Sequence, residues 1–417
     1  MRRVLSFWDL WGTMVFVTTS QQRAVADALT RNREELATVA FNVFFSASAS
    51  ARTRIRATPA IADALSLLAR SCDDEGNVPA DVEKRFLQRA TTLCAHGLLV
   101  EDVASLSEAA HRGMLVAAGA QPLEAVLPVE RALAQLTRTV VSRLQVFPPK
   151  PAARAEVVQI ERRTRRLSVV RLQADGPVAY EAGQAVSISL PILPGTIEYH
   201  YPAIPSNEHG QIEFHIFHDP FAPGAQPDSL AALLAATGVG DVWQVGPPHG
   251  EEGGFVLDKK RETLLIAHGS GLAPIRAVLL DRLMKGPHNR THLFLSADYP
   301  GELYDLVGLW QIAGSSPWLS VSPVSRFDED AWWVNPTEHA QPPRGLHLRT
   351  TGEVAQVVAG FGAWADRDVL IAGPRAVVSA SVGALRDAGT PRGHIQTRVI
   401  EQPELWTMPA ESQHRAG

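Results

Sequence analysis

The segment that decides the fold is Leu264-Leu265-Ile266-Ala267-His268-Gly269-Ser270-Gly271-Leu272-Ala273-Pro274-Ile275-Arg276. Its apolar start predicts a buried strand, and Pro274 opens the helix that follows. Gly269 and Gly271 lack a Cβ atom, so the backbone around Ser270 can turn sharply and approach a pyrophosphate. The N–H groups at the start of the helix would face that anion. The segment therefore predicts a dinucleotide site, although an ordinary tight strand-to-helix turn has the same pattern.

Strands and helices alternate from Arg261 onward. The predicted strands are Thr263–Ala267, His292–Ala297, Leu319–Val324 and Asp368–Ala372. The predicted helices are Ile275–Met284 and those near 303–310, 352–361 and 376–388. The last of these strands closes on a second glycine–proline turn, Gly373-Pro374. Such alternation predicts a doubly wound α/β domain with a parallel sheet, which we place at 259–400.

A different texture precedes this domain. Short β-runs separated by glycine and proline are Glu156–Ile160, Arg166–Leu172, Ala185–Leu190, Ile212–Phe217 and Asp241–Val245. Their spacing predicts a small antiparallel Greek-key β-barrel over 154–258. The proline cluster within 147–153 cannot continue a helix and predicts a linker. Apolar residues at helical spacing before it predict an all-α domain over 21–146.

Composition excludes several classes of protein. The 417 residues carry a formal net charge of −5, which argues against a nucleic-acid partner or a basic membrane-binding patch. No uninterrupted apolar run approaches the roughly 20 residues of a membrane-spanning helix. Two cysteines with no metal-ligand or disulfide spacing fit a reducing compartment. We expect a cytoplasmic protein, with residues 1–20 an N-terminal extension in which Met14 is a candidate start, and 401–417 a disordered polar tail.

Five ordered elements resemble the flavin-dependent ferredoxin–NADP reductase family. They are Tyr180-Glu181-Ala182-Gly183-Gln184, Pro202-Ala203, the stretch 240–250, the 264–276 segment and Leu370-Ile371-Ala372-Gly373-Pro374. Their order and spacing agree with that family over residues 154–400. The resemblance implies an NAD(P)H:flavin oxidoreductase, in which NAD(P)H binds across the two glycine turns and FAD lies on the barrel near Gly183, Gln184 and Pro202. Electrons would then pass to a small-molecule or protein acceptor.

With a helical domain of this length in front, the whole chain is similar to a flavohaemoglobin, in which a globin, an FAD barrel and an NAD domain share one chain. The segment Leu36–Phe45 is similar to the family's early globin helices, and Asp81-Val82-Glu83-Lys84 with Glu101-Asp102-Val103 to the region of the haem-bearing helix. This resemblance implies a globin-like bundle. It also implies a haem site and, if haem is present, oxygen binding and nitric oxide dioxygenation.

The sequence departs from the family at the haem. The position of the tyrosine over the haem is Phe41, and that of the proximal histidine is Ala90 or Leu93, depending on the gap chosen. We therefore expect haem to bind poorly or not at all. His96 is the remaining candidate for the iron ligand, although a lone histidine near a helix end is more often a surface or capping residue.

The sequence also departs from the family at the flavin. The Arg-x-Tyr-Ser motif falls on Glu198-Tyr199-His200-Tyr201, just before Pro202. A glutamate thus replaces the arginine that neutralises the FAD pyrophosphate in that family. Shifting the gap by one residue makes Tyr201 the candidate catalytic residue, its ring covering the isoalloxazine, with His200 a partial substitute for the lost cation. A tyrosine that only packs in the barrel is the alternative. We expect a weakened FAD site.

Two further features bear on function. Ser325-Arg326 follows a strand, where related reductases grip the adenosine 2′-phosphate of NADPH; a surface ion pair is the alternative for Arg326. The acid and aromatic pair that the family places near the flavin at its C-terminus falls on Arg398 and Ile400. These losses favour a second hypothesis, a non-catalytic nucleotide-binding or sensing relative whose haem and flavin sites have decayed.

Overall fold

Six helices form the first part of the chain in a computed structural model, which describes residues 20–222, 224–249, 253–258, 260–286, 289–341, 347–402 and 406. The helices are α1 Ser20–Arg31, α2 Arg33–Ala47, α3 Ala60–Ser71, α4 Ala80–Ala95, α5 Val100–Ala118 and α6 Leu123–Val146. At Gly113, α5 lies so close to α2 that a Cβ atom would come within 2.7 Å of the Leu36 carbonyl oxygen. The two helices therefore pack directly against each other.

The chain divides into two units between Pro151 and Ala152. The expected N-terminal extension, up to residue 19, and the expected tail beyond 402 lie outside the described residues, Trp406 excepted. Among the described residues, no helix is long and apolar enough to cross a membrane.

Six antiparallel strands form the first sheet of the second unit. They are β1 Ala153–Arg162, β2 Leu167–Ala174, β3 Val186–Ser189, β4 Glu198–His200, β5 Gln211–Phe217 and β6 Val242–Pro248, with helix α7 Leu230–Ala235 between the last two. Their order in the sheet is β4-β3-β6-β1-β2-β5. Just beyond β4, Pro202 bridges to Phe214 of β5, and the Ala203 N–H donates to the Glu213 carbonyl oxygen over 2.7 Å. This isolated bridge brings the chain just beyond β4 against β5, the strand at the opposite edge of the sheet.

Six parallel strands form the second sheet. They are β7 Glu262–His268, β8 Thr291–Ala297, β9 Leu319–Ser325, β10 Thr350–Thr351, β11 Arg367–Gly373 and β12 Ile395–Val399. The helices between them are α8 Leu272–Lys285, α9 Leu306–Gly314, α10 Val354–Gly360 and α11 Arg375–Asp387. The sheet order is β10-β9-β8-β7-β11-β12, so the direction of chain progression reverses at β7. Ligands of such sheets bind beyond the carboxyl ends of the strands at this reversal, which is where both glycine turns lie.

The predicted fold class is confirmed: a helical domain is followed by an antiparallel sheet and then by a doubly wound parallel sheet. The predicted strands and helices of the second unit are present with shifted ends. The helix expected at 303–310 begins only at Leu306, because Leu303, Tyr304 and Asp305 are buried in the loop before it. Strands β4, β10 and β12 and helix α7 were not predicted. Strand β4 is three residues long with polar ends, and β12 follows the last helix at the edge of the sheet.

Candidate functional site

The two glycine turns meet at the carboxyl ends of β7 and β11. A Cβ atom on Gly271 would lie 2.3 Å from the Ala372 carbonyl oxygen, and one on Gly373 would lie 3.0 Å from the Cβ of His268. Gly271 is therefore required because the turns pack against each other, a different reason from the expected approach to a phosphate. Gly269 has the left-handed φ of +54° and open space beside its Cα. Of the two, it is Gly269 that leaves the turn open.

The remaining residues of these turns lie where the sequence predicted them. Ser270 is half-buried between the two glycines, and Pro274 is buried in the first turn of the 14-residue helix α8. Pro374 stands at the N-cap of α11. In this first turn of α8 the Leu272 N–H donates to the Gly269 carbonyl oxygen, and Pro274 has no N–H.

His268 ends β7 and borders the same turn. Its Nδ1 lies 3.0 Å from the Ser296 hydroxyl, which in turn donates to the Ala267 carbonyl oxygen. Burial lowers the pKa of His268, and the carboxylates of Asp298 and Glu353 oppose that effect only in part. The imidazole is therefore neutral at pH 7.

Ser325 and Arg326 follow β9 but face different surroundings. Ser325 is fully buried, donates its hydroxyl to the Phe327 carbonyl oxygen over 2.7 Å and accepts a hydrogen bond from Arg349. It is therefore engaged within the protein and does not fit the expected role of gripping a phosphate. Arg326 is half exposed and pairs with Glu353 at 2.7 Å. Of Ser325 and Arg326, it is therefore Arg326 that a ligand can reach.

The short strand β4 carries the most unexpected contacts of the barrel. The Glu198 carboxylate accepts the backbone N–H of Ala231, in the first turn of α7, over 3.1 Å. Its other oxygen lies 3.1 Å from His200 Nε2, and the Glu198 side chain is only 16% exposed. His200, expected to offset the lost cation at a phosphate, is thus paired with the carboxylate. The Ala231 N–H, which an anion would bind here, already donates to the Glu198 carboxylate.

Neighbouring residues hold β4 in place. The Tyr199 ring lies against His249 with 3.9 Å between ring centroids. Gln402 accepts the Tyr199 N–H over 2.7 Å and donates to the Tyr199 carbonyl oxygen over 3.2 Å. Tyr201 follows directly and is half-buried. The expected catalytic residue, Tyr201, therefore directly follows a strand whose central residue is held by His249 and Gln402.

Gly183 and Gln184 lie in the turn before β3. Gly183 has φ of +85°, and a Cβ atom there would lie 2.5 Å from the Phe255 ring. Gln184 accepts the Glu181 N–H through its side chain over 3.1 Å. Arg398 donates to the Gly183 carbonyl oxygen over 2.9 Å, and its guanidinium lies 4.3 Å from the Phe255 ring centroid. Both expected cofactor-binding residues are here engaged in shaping the turn.

Taken together, the barrel residues do not fit the phosphates of FAD. The position predicted for the family's arginine holds the Glu198 carboxylate, which already accepts the Ala231 N–H and is paired with His200. A phosphate placed there would meet a negative charge and find its donor taken.

A buried polar network that the sequence did not predict joins the barrel to the parallel sheet. Arg276 of α8 pairs with Glu213 of β5 at 2.8 Å and with Asp305 at 3.2 Å. His215 Nδ1 lies 2.7 Å from the Tyr304 hydroxyl. Burial alone would raise the pKa of Glu213, but the His215 hydrogen bond and the Arg276 charge outweigh it and lower the pKa to about 2. The network fixes the orientation of the two sheets beside the glycine turns.

The residues at the expected haem positions offer iron no ligand. Phe41 is buried, with its ring 5.5 Å from that of Phe45. Ala90 and Leu93, at the aligned ligand positions, pack in apolar clusters and have no atom that coordinates iron. His96 is buried at the C-cap of α4, where its backbone N–H donates to the Thr92 carbonyl oxygen. The role of His96 as an iron ligand stays a prediction that nothing around it supports.

No protein-family model matches the chain. It is 30% identical over 173 residues to the reductase component of phenol 2-monooxygenase from Pseudomonas sp. (strain CF600), a match that covers 39% of this chain and 45% of that protein. It is 29% identical over 304 residues to the reductase subunit of an aromatic O-demethylase from Amycolatopsis sp. (strain ATCC 39116 / 75iv2), covering 70% of this chain and 79% of that protein. The chain spans about half the length of the phenol 2-monooxygenase reductase component and of the phenol hydroxylase P5 protein from Acinetobacter pittii (strain PHEA-2), which it also matches.

A solved structure extends the likeness to the helical unit. The flavohaemoglobin of Malassezia yamatoensis, solved with bound FAD and haem, matches with a TM-score of 0.62 and 14% identity, covering 92% of this chain and all of that one. The chain is thus similar in sequence to reductase components and subunits of oxygenases, and similar in fold to a flavohaemoglobin. With its helical N-terminal unit, the chain has the domain order and fold of a flavohaemoglobin-like protein.

Proposed function

We propose that the chain is an NAD(P)H-dependent flavin oxidoreductase, which takes electrons from NAD(P)H and passes them through a flavin to a small-molecule or protein acceptor. One observation carries the proposal: two glycine turns lie side by side at the point where the order of the parallel sheet reverses, and the turn at Gly269 is open. The likeness to reductase components and subunits of oxygenases supports it.

The residues around this turn would bind and orient NAD(P)H. The backbone of the turn after Gly269, at the N-terminal end of α8, would hold the pyrophosphate. His268, neutral because it is buried, would place no positive charge beside a nicotinamide that becomes cationic as it loses hydride. The flavin, when bound, supplies the hydride acceptor. Arg326, at the end of β9, would favour the additional phosphate of NADPH.

Nitric oxide dioxygenation does not form part of this proposal. That reaction would need a haem, and the residues at Phe41, Ala90 and Leu93 do not fit one. The acceptor is therefore external to the helical unit.

A second candidate is a protein that binds NAD(P)H without oxidising it. The Glu198 carboxylate at the flavin side of the module favours this hypothesis. The two candidates share the nucleotide site and differ in turnover: NAD(P)H bound but not oxidised in the presence of added flavin and ferricyanide would favour the second.

The nucleotide site is tested with a pair of variants at one position. Ser270→Glu adds a negative charge beside the open turn, and Ser270→Gln adds similar bulk without charge. We expect Ser270→Glu to weaken NADPH binding by at least about tenfold relative to Ser270→Gln, because an unscreened like charge near a pyrophosphate costs about 1.4 kcal/mol or more. Titration of NADPH fluorescence measures both. Equal affinities of the two variants would place the nucleotide elsewhere.

A further inference from the structure

We propose that flavin is an exchangeable substrate of this module, and that Glu198 makes the barrel select uncharged riboflavin over the phosphate-bearing flavins FMN and FAD. The inference rests on the proposed function, since it names the flavin that the oxidoreductase would reduce. NAD(P)H would give a hydride to the flavin, a proton would come from water, and NAD(P)⁺ and the dihydroflavin would leave.

The first support is the position of the carboxylate. Glu198 stands where the reductase family places the arginine for the pyrophosphate, and its side chain is directed inward, with 16% of its surface exposed. A carboxylate there repels a phosphate at the distance at which an arginine would attract it. Uncharged riboflavin carries no group that this carboxylate would repel.

The second support is that the carboxylate is built in. It accepts the Ala231 N–H over 3.1 Å and lies 3.1 Å from His200 Nε2. Swinging Glu198 aside to admit a phosphate would break both contacts and leave the Ala231 N–H to be satisfied anew. The cost of that rearrangement falls on FMN and FAD and not on riboflavin, whose ribityl chain ends in a hydroxyl.

The third support is the rigidity of the strand. Tyr199 is held by His249 on its ring and by Gln402 on both backbone groups. A strand that is fixed at its centre cannot carry Glu198 away by a backbone shift.

Steady-state oxidation of NADPH at 340 nm with riboflavin, FMN or FAD as acceptor tests the proposal in the full chain. We expect the KM for riboflavin to be at least about tenfold below those for FMN and FAD, the size of effect expected for an opposed charge at a hydrogen-bonding position. Glu198→Gln should reduce this ratio, and Glu198→Arg should reverse it in favour of FAD. Glu208→Gln, an exposed glutamate on the next loop, should leave the ratio unchanged.

Two results would overturn the proposal: a KM for FAD at or below that for riboflavin in the parent, or Glu198→Gln changing all three values by the same factor. Quenching of flavin fluorescence, measured without NADPH, gives the same affinity ratio when no turnover occurs. Loss of NADPH oxidation with every flavin would therefore count against the proposed function, while the binding ratio would still decide the role of Glu198. Circular dichroism of each variant verifies that it is folded.

Discussion

The nucleotide end and the flavin end of the second unit differ in what forms their predicted sites. At the nucleotide end, the site is a matter of backbone shape: Gly271 packs on Ala372, and Gly269 leaves the turn open. At the flavin end, the family's site depends on one side-chain charge, and here Glu198 reverses that charge and bonds to Ala231. A site formed by the backbone persists as long as the fold does, because Gly271 also packs the two turns together. A site made by one side chain can change its ligand through a single substitution.

The largest expected effect tests whether the nucleotide turns are held by packing. Gly271→Ala places a Cβ atom 2.3 Å from the Ala372 carbonyl oxygen, and only a backbone shift relieves that overlap. We expect a loss of more than about 4 kcal/mol in the free energy of unfolding, measured by urea denaturation. Gly269→Ala, which meets no atom within 4 Å, should cost only about 1 kcal/mol for its left-handed φ. Similar losses in the two variants would contradict the distinction between the turns.

The next effect concerns the network that fixes the two sheets beside the site. Glu213→Gln removes a carboxylate that pairs with Arg276 and Arg171 and is 5% exposed, leaving two guanidinium groups without that charge. We expect a loss of about 3 kcal/mol in the free energy of unfolding at pH 7.

The free energy of unfolding that Glu213→Gln loses should depend on pH. The pKa of Glu213 is lowered from 4.5 to about 2 in the folded protein. The stability contributed by its ionised form is therefore fully present above about pH 4.5 and is lost as the pH falls towards 2. Parent and Glu213→Gln should converge in stability over that range. A difference that stays constant down to pH 2.5 would mean that the carboxylate charge is not what stabilises the junction.

A smaller effect sharpens the nucleotide end of the comparison. Arg326→Ala should raise the KM for NADPH by about tenfold and leave that for NADH unchanged, because only NADPH carries the phosphate that the guanidinium would bind. Glu353→Gln frees Arg326 from its 2.7 Å partner and should lower the KM for NADPH. Equal changes for both nucleotides in Arg326→Ala would assign this arginine to the surface ion pair alone.

The smallest expected effect is in the helical unit. Addition of haemin to the purified protein should give no stoichiometric, histidine-ligated Soret spectrum, since Ala90 and Leu93 offer iron no ligand. His96→Ala should consequently leave the spectrum unchanged. A Soret band that is present in the parent and lost in His96→Ala would identify this histidine as the ligand after all.

Much of the fold was predictable because long apolar periods and glycine–proline turns are local signals. The sequence predicted the strand before Gly269–Gly271, the helix after it and the order of the three folded parts. Its errors have physical causes. Strand β4 is three residues long with polar ends, so it carries no periodic pattern. Ser325 and Arg326 are adjacent, yet Ser325 is the buried last residue of β9, whereas Arg326 lies beyond the end of the strand and reaches the surface.

The candidate site was less predictable because its decisive contacts are distant in sequence. Glu198 meets an N–H 33 residues later, and Arg276 meets a carboxylate 63 residues earlier. The substitution of glutamate for arginine was visible in the sequence, but its partner was not. Arg276 stands in the segment that decided the fold, and a cation among the apolar residues that follow Pro274 was a signal that an interior partner existed.

We infer that the nucleotide end of the second unit is open and that Glu198 closes the phosphate position at its flavin end. The most direct measurement is the ligand content and affinity of one preparation of the full chain. Flavin released by heat is identified and counted, and NADPH and FAD are then titrated separately by fluorescence. We expect NADPH to bind at one site per chain. The FAD content should be far below one per chain, and the FAD should be lost on dialysis. One tightly held FAD per chain, retained through purification, would contradict this inference.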